Sequence, residues 1–504
     1  MKTYSLITLF FLLVNIAHSQ PNREELNTLS NQVLKPALQE YMELLSIPNN
    51  GLIESHVEAN MVWCEDAFQQ RGFNTQRIET KVAPLLLATL EVSAKKPTML
   101  VYLQIDGQPV DSSKWFQRSP YIPELKEAAG NKWDSISMDQ LQNDFNPDWR
   151  IFARSASDAK GPVAMFLAAM DVMNNQTWEP DYNLKVIMDF EEELGSPNLP
   201  ATVEANRELL AADMLVIYDG PRHPNNKPTL TFGARGISTV TLKVFGPEFP
   251  QHSGHYGNYV PNPAFSMSQL LASMKDAYGR VTIPGYYDGI EISEEAQQIL
   301  KSVPDDEEKI RQQIGIAQPD SVAATLQEAL QYPSLNIRGL SAGWVGDESR
   351  TIVPSEAIAE IDVRLVKETD GPQLVGLIKE HIANQGYHFV DGEPTDMERE
   401  KYPKLISFEA EHSYAAFRTD LNSDIGIFLD KALTRAFVVP PIKHRTSGGS
   451  IPISPFVTTL GIPAVTVPTV NRDNNQHSPN ENLRLGNFQE GIVTILAILT
   501  EPMK

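Results

Sequence analysis

The sequence predicts an α/β fold, a sheet flanked by helices, with a second α+β unit inserted into it. Three observations point there. At 504 residues the chain exceeds what one hydrophobic core organises, so more than one domain is expected. Short apolar runs such as Val186-Ile187-Met188 and Met214-Leu215-Val216-Ile217 alternate with stretches of helical spacing, the pattern of parallel strands joined by helices. Several of these runs end in polar or acidic residues, and ligands of open α/β sheets bind beyond the carboxyl ends of the strands. In residues 184–197 the strand runs into Glu191, Glu192 and Glu193 before Gly195 and Ser196 turn the chain. Three adjacent carboxylates repel one another unless water or a cation screens them. Taken alone such a run is a solvated acidic turn. The rest of the chain argues for more.

Residues 1–19 begin with Met1-Lys2, continue through an apolar stretch at 6–17 and close on Ala17-His18-Ser19. The apolar stretch is too short to span a bilayer and has the form of a secretory signal cut after Ser19, so an exported protein, periplasmic or extracellular, is expected. With 64 acidic residues against 42 basic ones the net charge is −22, which argues against nucleic acid and anionic membranes as partners. The single cysteine, Cys64, has no internal partner. Beside Val62 and Trp63 it reads as a packed thiol and not a nucleophile.

Residues 24–73 carry helical spacing, as in Leu34, Leu38, Tyr41, Met42 and Leu45. Strands follow at 88–92 and 98–103, the second running into Gln104-Ile105-Asp106-Gly107. Residues 111–146, rich in Ser, Pro, Asn and Trp, read as an irregular excursion. Asp158 stands in the loop before a helix at 163–173, where an Asp also serves as a helix cap. The strand at 214–217 ends at Asp219. Gln104, Asp158, the glutamates and Asp219 thus all occupy strand ends or loops before helices, from which they can converge on one cleft.

Near residue 231 the pattern changes. Residues 237–244 alternate like a strand, and a polar loop at 251–258 holds His252 and His255. A helix is expected at 265–274, an acidic helical stretch at 291–314 broken at Pro304, strands near Asn336 and over 352–365 with Arg364 near the end, and a helix at 373–382. The expected division is a main domain over 20–231 and 414–504, with a lid and dimerisation domain at 232–413 inserted between. The second part of the main domain contains a helix at 425–436, the small-residue loop Gly448-Gly449-Ser450, and a strand at 464–467 that leads to His477. Alone, His477 and His252 are ordinary loop histidines, and Arg364 on a strand simply pairs with a carboxylate.

Gln104, Asp158, Glu193, Asp219 and His477 form an oxygen-rich set with a histidine. Such a set suits zinc, cobalt or manganese, and a bridging carboxylate holds two ions ~3.5–4 Å apart. Eight segments, in order, carry a resemblance: YLQIDGQPV (102–110), SASDAKGP (155–162), EEELGSP (191–197), YDG (218–220), QHSGHYGNYVPNP (251–263), SRTIVPSEAIAEIDVRL (349–365), TSGGSIP (446–452) and QHSPNEN (476–482). Over nearly the whole chain after the leader, the sequence resembles the aminoacylase, carnosine dipeptidase and acetylornithine deacetylase family of co-catalytic zinc hydrolases. The resemblance implies a zinc-exopeptidase-like sheet, two divalent ions and a homodimer. It implies that Asp158 bridges both ions, that Gln104, Glu193, Asp219 and His477 complete their shells, and that Glu192 is the general base. It further implies that His252 reaches the partner subunit's site to stabilise the oxyanion, and that Asn336, Arg364 and the loop of Gly448, Gly449 and Ser450 hold a substrate carboxylate.

One position departs from the family pattern. Gln104 stands where the family has a His, two residues before an Asp that orients it. Asp106 is present, and a Gln amide can copy the arrangement with its oxygen on the ion and its NH₂ on Asp106. Amide oxygen is a weaker, harder ligand than imidazole, which leaves one site weak, suited to manganese or magnesium, or empty. The expected function is hydrolysis of an amide bond beside a carboxylate-bearing residue. A dipeptidase or carboxypeptidase-like exopeptidase comes first, because an exported enzyme meets peptides. An N-acyl-amino-acid deacylase would use the same residues, and a non-catalytic binding protein on the same fold is the alternative of another class.

Overall fold

The computed structural model describes residues 20–142 and 145–503; the leader expected over 1–19 lies outside the described residues. The main sheet has eight strands in the order Asn74–Ile78, Leu85–Leu90, Asn183–Asp189, Thr98–Gln104, Met214–Ile217, Ala464–Thr466, Thr229–Thr231 and Ile442–His444. The four from Asn183–Asp189 to Ala464–Thr466 run parallel. The strands at 85–90 and 98–104 are neighbours in sequence but not in space, because Asn183–Asp189 lies between them.

Parallel strands buried on both faces read as continuous apolar runs, and each face feeds its own core. In Thr98–Gln104, Met99, Val101 and Leu103 face a core shared with helices Arg23–Leu45, Lys160–Gln176 and Leu485–Leu499. Leu100 and Tyr102 face the opposite core, with Leu199, Val203 and Phe456. The result is a helix–sheet–helix sandwich. Lys160 ties two helices of one layer together near the site: its Nζ, fully buried, donates to the carbonyls of Leu44 (2.8 Å) and Ile47 (2.5 Å), where the first helix ends.

The inserted unit is a five-stranded sheet in the order Ser334–Ser341, Glu356–Leu365, Gly236–Phe245, Leu405–Tyr414 and His388–Val390. Helices Pro263–Ala272 and Gly371–Asn384 cover one face, over Val240, Leu242, Ile361 and Val363. Arg364 stands opposite Ile237, which stands opposite Tyr414, and Asn336 stands opposite Asp362, so these residues share the other face. The acidic stretch forms helices Glu294–Ser302 and Glu307–Ile314, the second capped by Asp306. Asp305 between them pairs with His223 of the main domain at 2.9 Å and accepts from Gln327 at 2.7 Å, which docks this segment on the main sheet's edge.

Residues 111–146 are more regular than their composition suggests. Glu124–Ala129 and Lys132–Ser135 join Arg150–Phe152 and Asn482–Arg484 in a four-stranded sheet. Most residues of the first two strands are exposed or half-exposed, so no apolar alternation marks them. Cys64 is buried, and burial pushes its thiol up to about 12, which makes it an inert packed thiol. Among the described residues no helix is long and apolar enough to cross a membrane.

The turn into helix Lys160–Gln176 needs a glycine. A Cβ at Gly161 would lie 2.6 Å from the Ala156 carbonyl and 2.8 Å from Leu483 Cδ2. Gly161→Ala is therefore expected to destabilise the protein by about 1–3 kcal/mol through overpacking, read as a lower midpoint in a denaturant titration.

Candidate metal centre

Strand register brings the sequence-predicted ligands to one level. Gln104, the last residue of its strand, stands beside Asp189, and Tyr102 stands beside Ile217. The turn of Glu191, Glu192 and Glu193 follows Asp189 directly, and Asp219 lies just past the end of Met214–Ile217. Asp158 stands in the loop before Lys160–Gln176, and His477 in the loop after Ala464–Thr466.

Four of these side chains touch. His477 Nε2 lies 2.9 Å from Asp158 Oδ2 and 3.1 Å from Glu193 Oε2. Asp158, Glu193 and His477 offer ligand atoms that all lie within 4.8 Å of one another, the one such group among the described residues. Three amides donate to the same carboxylates: Gln104 Nε2 to Asp158 Oδ1 (2.9 Å), Gln476 Nε2 to Asp158 Oδ2 (3.0 Å) and Gln108 Nε2 to Glu193 Oε2 (2.9 Å). The hydrogen bonds to Asp158 and Glu193 hold the His477 imidazole up at about 10. Burial first, and then the Asp158 charge, pushes Asp219 up to about 7. Glu192 stands well above the usual carboxylate range, through burial and then the charges of Asp219, Asp158, Glu193 and Asp106. The centre concentrates negative charge that a cation would neutralise.

Two further carboxylates hold the frame. Asp106 accepts from the backbone N–H of Glu192 (3.1 Å) and Glu193 (3.0 Å), pinning the turn that carries both. The expected bond from the Gln104 amide to Asp106 does not form. The Asp106 oxygens face the turn, the Gln104 amide donates to Asp158 instead, and Gln104 Oε1 is buried without a partner. The second carboxylate, Glu481, was not singled out from the sequence. Its Oε1 accepts from Ser157 N (3.0 Å), Ser157 Oγ (2.9 Å) and Asp158 N (2.9 Å), and its Oε2 from Arg154 (2.7 Å) and Ser155 N (3.0 Å). The signal available was membership of the 476–482 segment.

The structure also joins Arg364 to the loop at 448–450. Arg364 donates to Ser450 Oγ at 2.7 Å, Ser450 Oγ donates to the Gly236 carbonyl at 3.2 Å, and Arg235 N–H donates to the Gly449 carbonyl at 3.3 Å. Gly448 lies against Leu330. Asn336 is exposed and donates to Asp362 at 3.3 Å. Tyr414, also not singled out from the sequence, lies in the field of both Glu192 and Arg364; burial and then the Glu192 charge raise its phenol, and Arg364 opposes them. His252 does not join this group. It is exposed, its Nδ1 accepts the Gly254 N–H at 3.1 Å, and its ring lies 4.7 Å from that of His255.

Comparison with known proteins agrees with this arrangement. The sequence model of peptidase family M20/M25/M40 matches residues 105–501. The chain belongs to that family. It is a metal-dependent hydrolase of the metallopeptidase class. It is 25% identical over 426 residues to the Cys-Gly metallodipeptidase of Candida albicans, covering 83% of this chain and 81% of that one. The human Beta-Ala-His dipeptidase is 25% identical over 428 residues, 83% of this chain and 78% of its own. Among solved structures, the M20 family metallo-carboxypeptidase of Sulfolobus solfataricus superposes with a TM-score of 0.76 at 27% identity, covering 92% of this chain and 99% of that one.

Asp158, Glu193 and His477 fit a divalent ion: two carboxylates and an imidazole nitrogen already converge, and His477 Nε2 becomes a ligand on losing its proton. Glu481 should matter to that ion without touching it. Glu481→Gln is expected to weaken ion affinity about 10–100-fold, measured by competition with a chromophoric chelator, because the loop holding Asp158 loses its anchor. The substitution should also lower thermal stability, because Arg154 would be left as a buried unpaired charge.

Proposed function

We propose that this M20 family member is an exported dipeptidase that hydrolyses the amide bond of short peptides with a free carboxylate and works as a homodimer. The observation that carries the reading is the position of Glu192. It lies among the ion ligands on one side, while its charge and that of Arg364 both act on Tyr414 on the other. Glu192 thus stands between the ion ligands and the residues of the inserted sheet that carry Arg364. The names of the Candida albicans and human relatives, both dipeptidases, support a dipeptide as the substrate.

Asp158, Glu193 and His477 would hold a divalent ion, zinc first and manganese or cobalt as alternatives, which when bound would supply Lewis acidity for the scissile carbonyl and for a water. Glu192 takes a proton from the attacking water and returns it to the leaving amine. Its place among Asp158, Glu193 and Asp219 sets its carboxyl beside the ion position for both steps. Arg364, held by Ser450, offers its guanidinium to the peptide carboxylate, with Asn336 and the backbone of Gly448 and Gly449 completing the clamp. The charge of Asp219 raises the proton affinity of Glu192.

His252 is the oxyanion donor. With Nδ1 accepting from Gly254 on an exposed ring, Nε2 is the atom left to donate. Exposed on its own chain, it acts on the site of a second copy. The exposed apolar residues Tyr259, Phe265, Trp344 and Val345 of the inserted unit support such a pairing. The apolar leader at 1–19 supports export.

Glu192→Ala is expected to retain the ion and to lose about 10²–10⁴-fold in kcat on dipeptides; an unchanged kcat would remove Glu192 from the reaction. His252→Ala is expected to lose about 10²–10³-fold. Unfolding and refolding the two inactive variants together should restore turnover, because a mixed dimer contains one site with both residues. Failure of every mixture to regain activity would place His252 outside the partner's site.

A further inference from the structure

The two ion positions implied by the family resemblance are not equivalent in this chain. The position of Asp158, Glu193 and His477 has three converging ligand atoms. The neighbouring one would draw on Gln104, Asp158 and Asp219, and there the donor set does not fit. Gln104 Nε2 donates to Asp158 Oδ1 at 2.9 Å, so a proton-bearing nitrogen occupies the carboxylate oxygen on which an ion would sit. His477 also donates to Asp158 and Glu193, but an imidazole loses its proton and becomes a ligand, whereas an amide nitrogen does not.

For Gln104 to ligate through oxygen, the amide must turn over. That moves its NH₂ to the place of Oε1, which is buried and has no hydrogen-bond partner, and Gln104 is 2% exposed. Turning it over also gives up the bond from Nε2 to Asp158 Oδ1, and Asp106, the acceptor nearest in sequence, directs its oxygens to the backbone N–H groups of Glu192 and Glu193. Asp219 does not compensate, since its Oδ1 accepts from Gly220 N at 2.6 Å and its carboxyl does not join the group of converging ligand atoms.

We infer that the centre holds one ion tightly, on Asp158, Glu193 and His477, and that the Gln104 amide, bonded to the shared carboxylate, closes the adjacent position to a second tightly held zinc ion. This rests on the proposed hydrolase reading for the use of the first ion, but not for the count. The amide takes over part of the second ion's electrostatic task, in that its N–H offsets the charge of Asp158 from the side where that ion would stand.

The test is ion content. The full-length protein is loaded with excess Zn²⁺, freed of loosely held ion by desalting, and analysed by plasma mass spectrometry as wild type, Gln104→His and His477→Ala. One zinc per chain is expected in the wild type, two in Gln104→His and none in His477→Ala. Two in the wild type, or one in a folded Gln104→His, overturns the inference. Competition of the wild type with a chromophoric zinc chelator gives the count without any variant: one tight phase is expected, and two phases of equal affinity overturn it. Dipeptide turnover on the same samples separates the two readings. Two tight ions with turnover would refute the single-ion centre alone, and one tight ion without turnover would refute the peptidase alone.

Discussion

The Glu481 carboxylate, sealed from solvent, accepts from the Arg154 guanidinium, the Ser157 hydroxyl and the backbone N–H groups of Ser155, Ser157 and Asp158. A buried carboxylate without such donors would be costly, and a loop without such an acceptor would be free to move. Each satisfies the other, and the result is a fixed direction for Asp158. Because Glu481 stands at the start of the strand Asn482–Arg484, which pairs with Arg150–Phe152, the same contact joins the last part of the chain to its middle. The loop that delivers His477 and the loop that delivers Asp158 are therefore held as one body.

Around that frame the chain gathers negative charge where water is scarce. Asp106 gives its oxygens to the turn of Glu192 and Glu193, and burial together with Asp189 and Glu193 raises it well above the usual range. Asp189 is buried but accepts from Tyr102 and Ser196 and from the Glu191 N–H. The supporting carboxylates take backbone N–H, hydroxyl and guanidinium donors, whereas Asp158 and Glu193 are met by the His477 imidazole and by side-chain amides. That contrast separates groups that build the site from groups that a cation would neutralise, and the same repulsion holds Glu192 above the usual carboxylate range.

Much of this was readable from the residues. The apolar runs ending in acids placed Gln104, Glu192, Glu193 and Asp219 at strand ends, and parallel register makes those ends level. Asp158 and His477 came from loop context and family resemblance, and the structure brings both to Glu193. Long-range hydrogen bonding was not readable. Glu481 and Asp158 are far apart in sequence, and nothing local tells a buried carboxylate from a surface one. The partner of Gln104 followed the same rule: by spacing Asp106 was the nearest candidate, but the turn had a stronger claim on its oxygens. Tyr414 shares a face with Arg364 two strands away, with Ile237 between them, and that relation depends on strand order in the inserted sheet. Residues 124–135 form strands with charged, exposed faces, so periodicity had nothing to detect.

The most direct measurement of the central claim is hydrolysis of a panel of unblocked dipeptides by the full-length protein before chelation, after chelation and after return of zinc or manganese. A metal-dependent dipeptidase gives turnover that falls to background when the ion is removed and returns with it. Cleavage that persists in protein shown to be metal-free, or no cleavage of any dipeptide with the ion bound, would contradict the account.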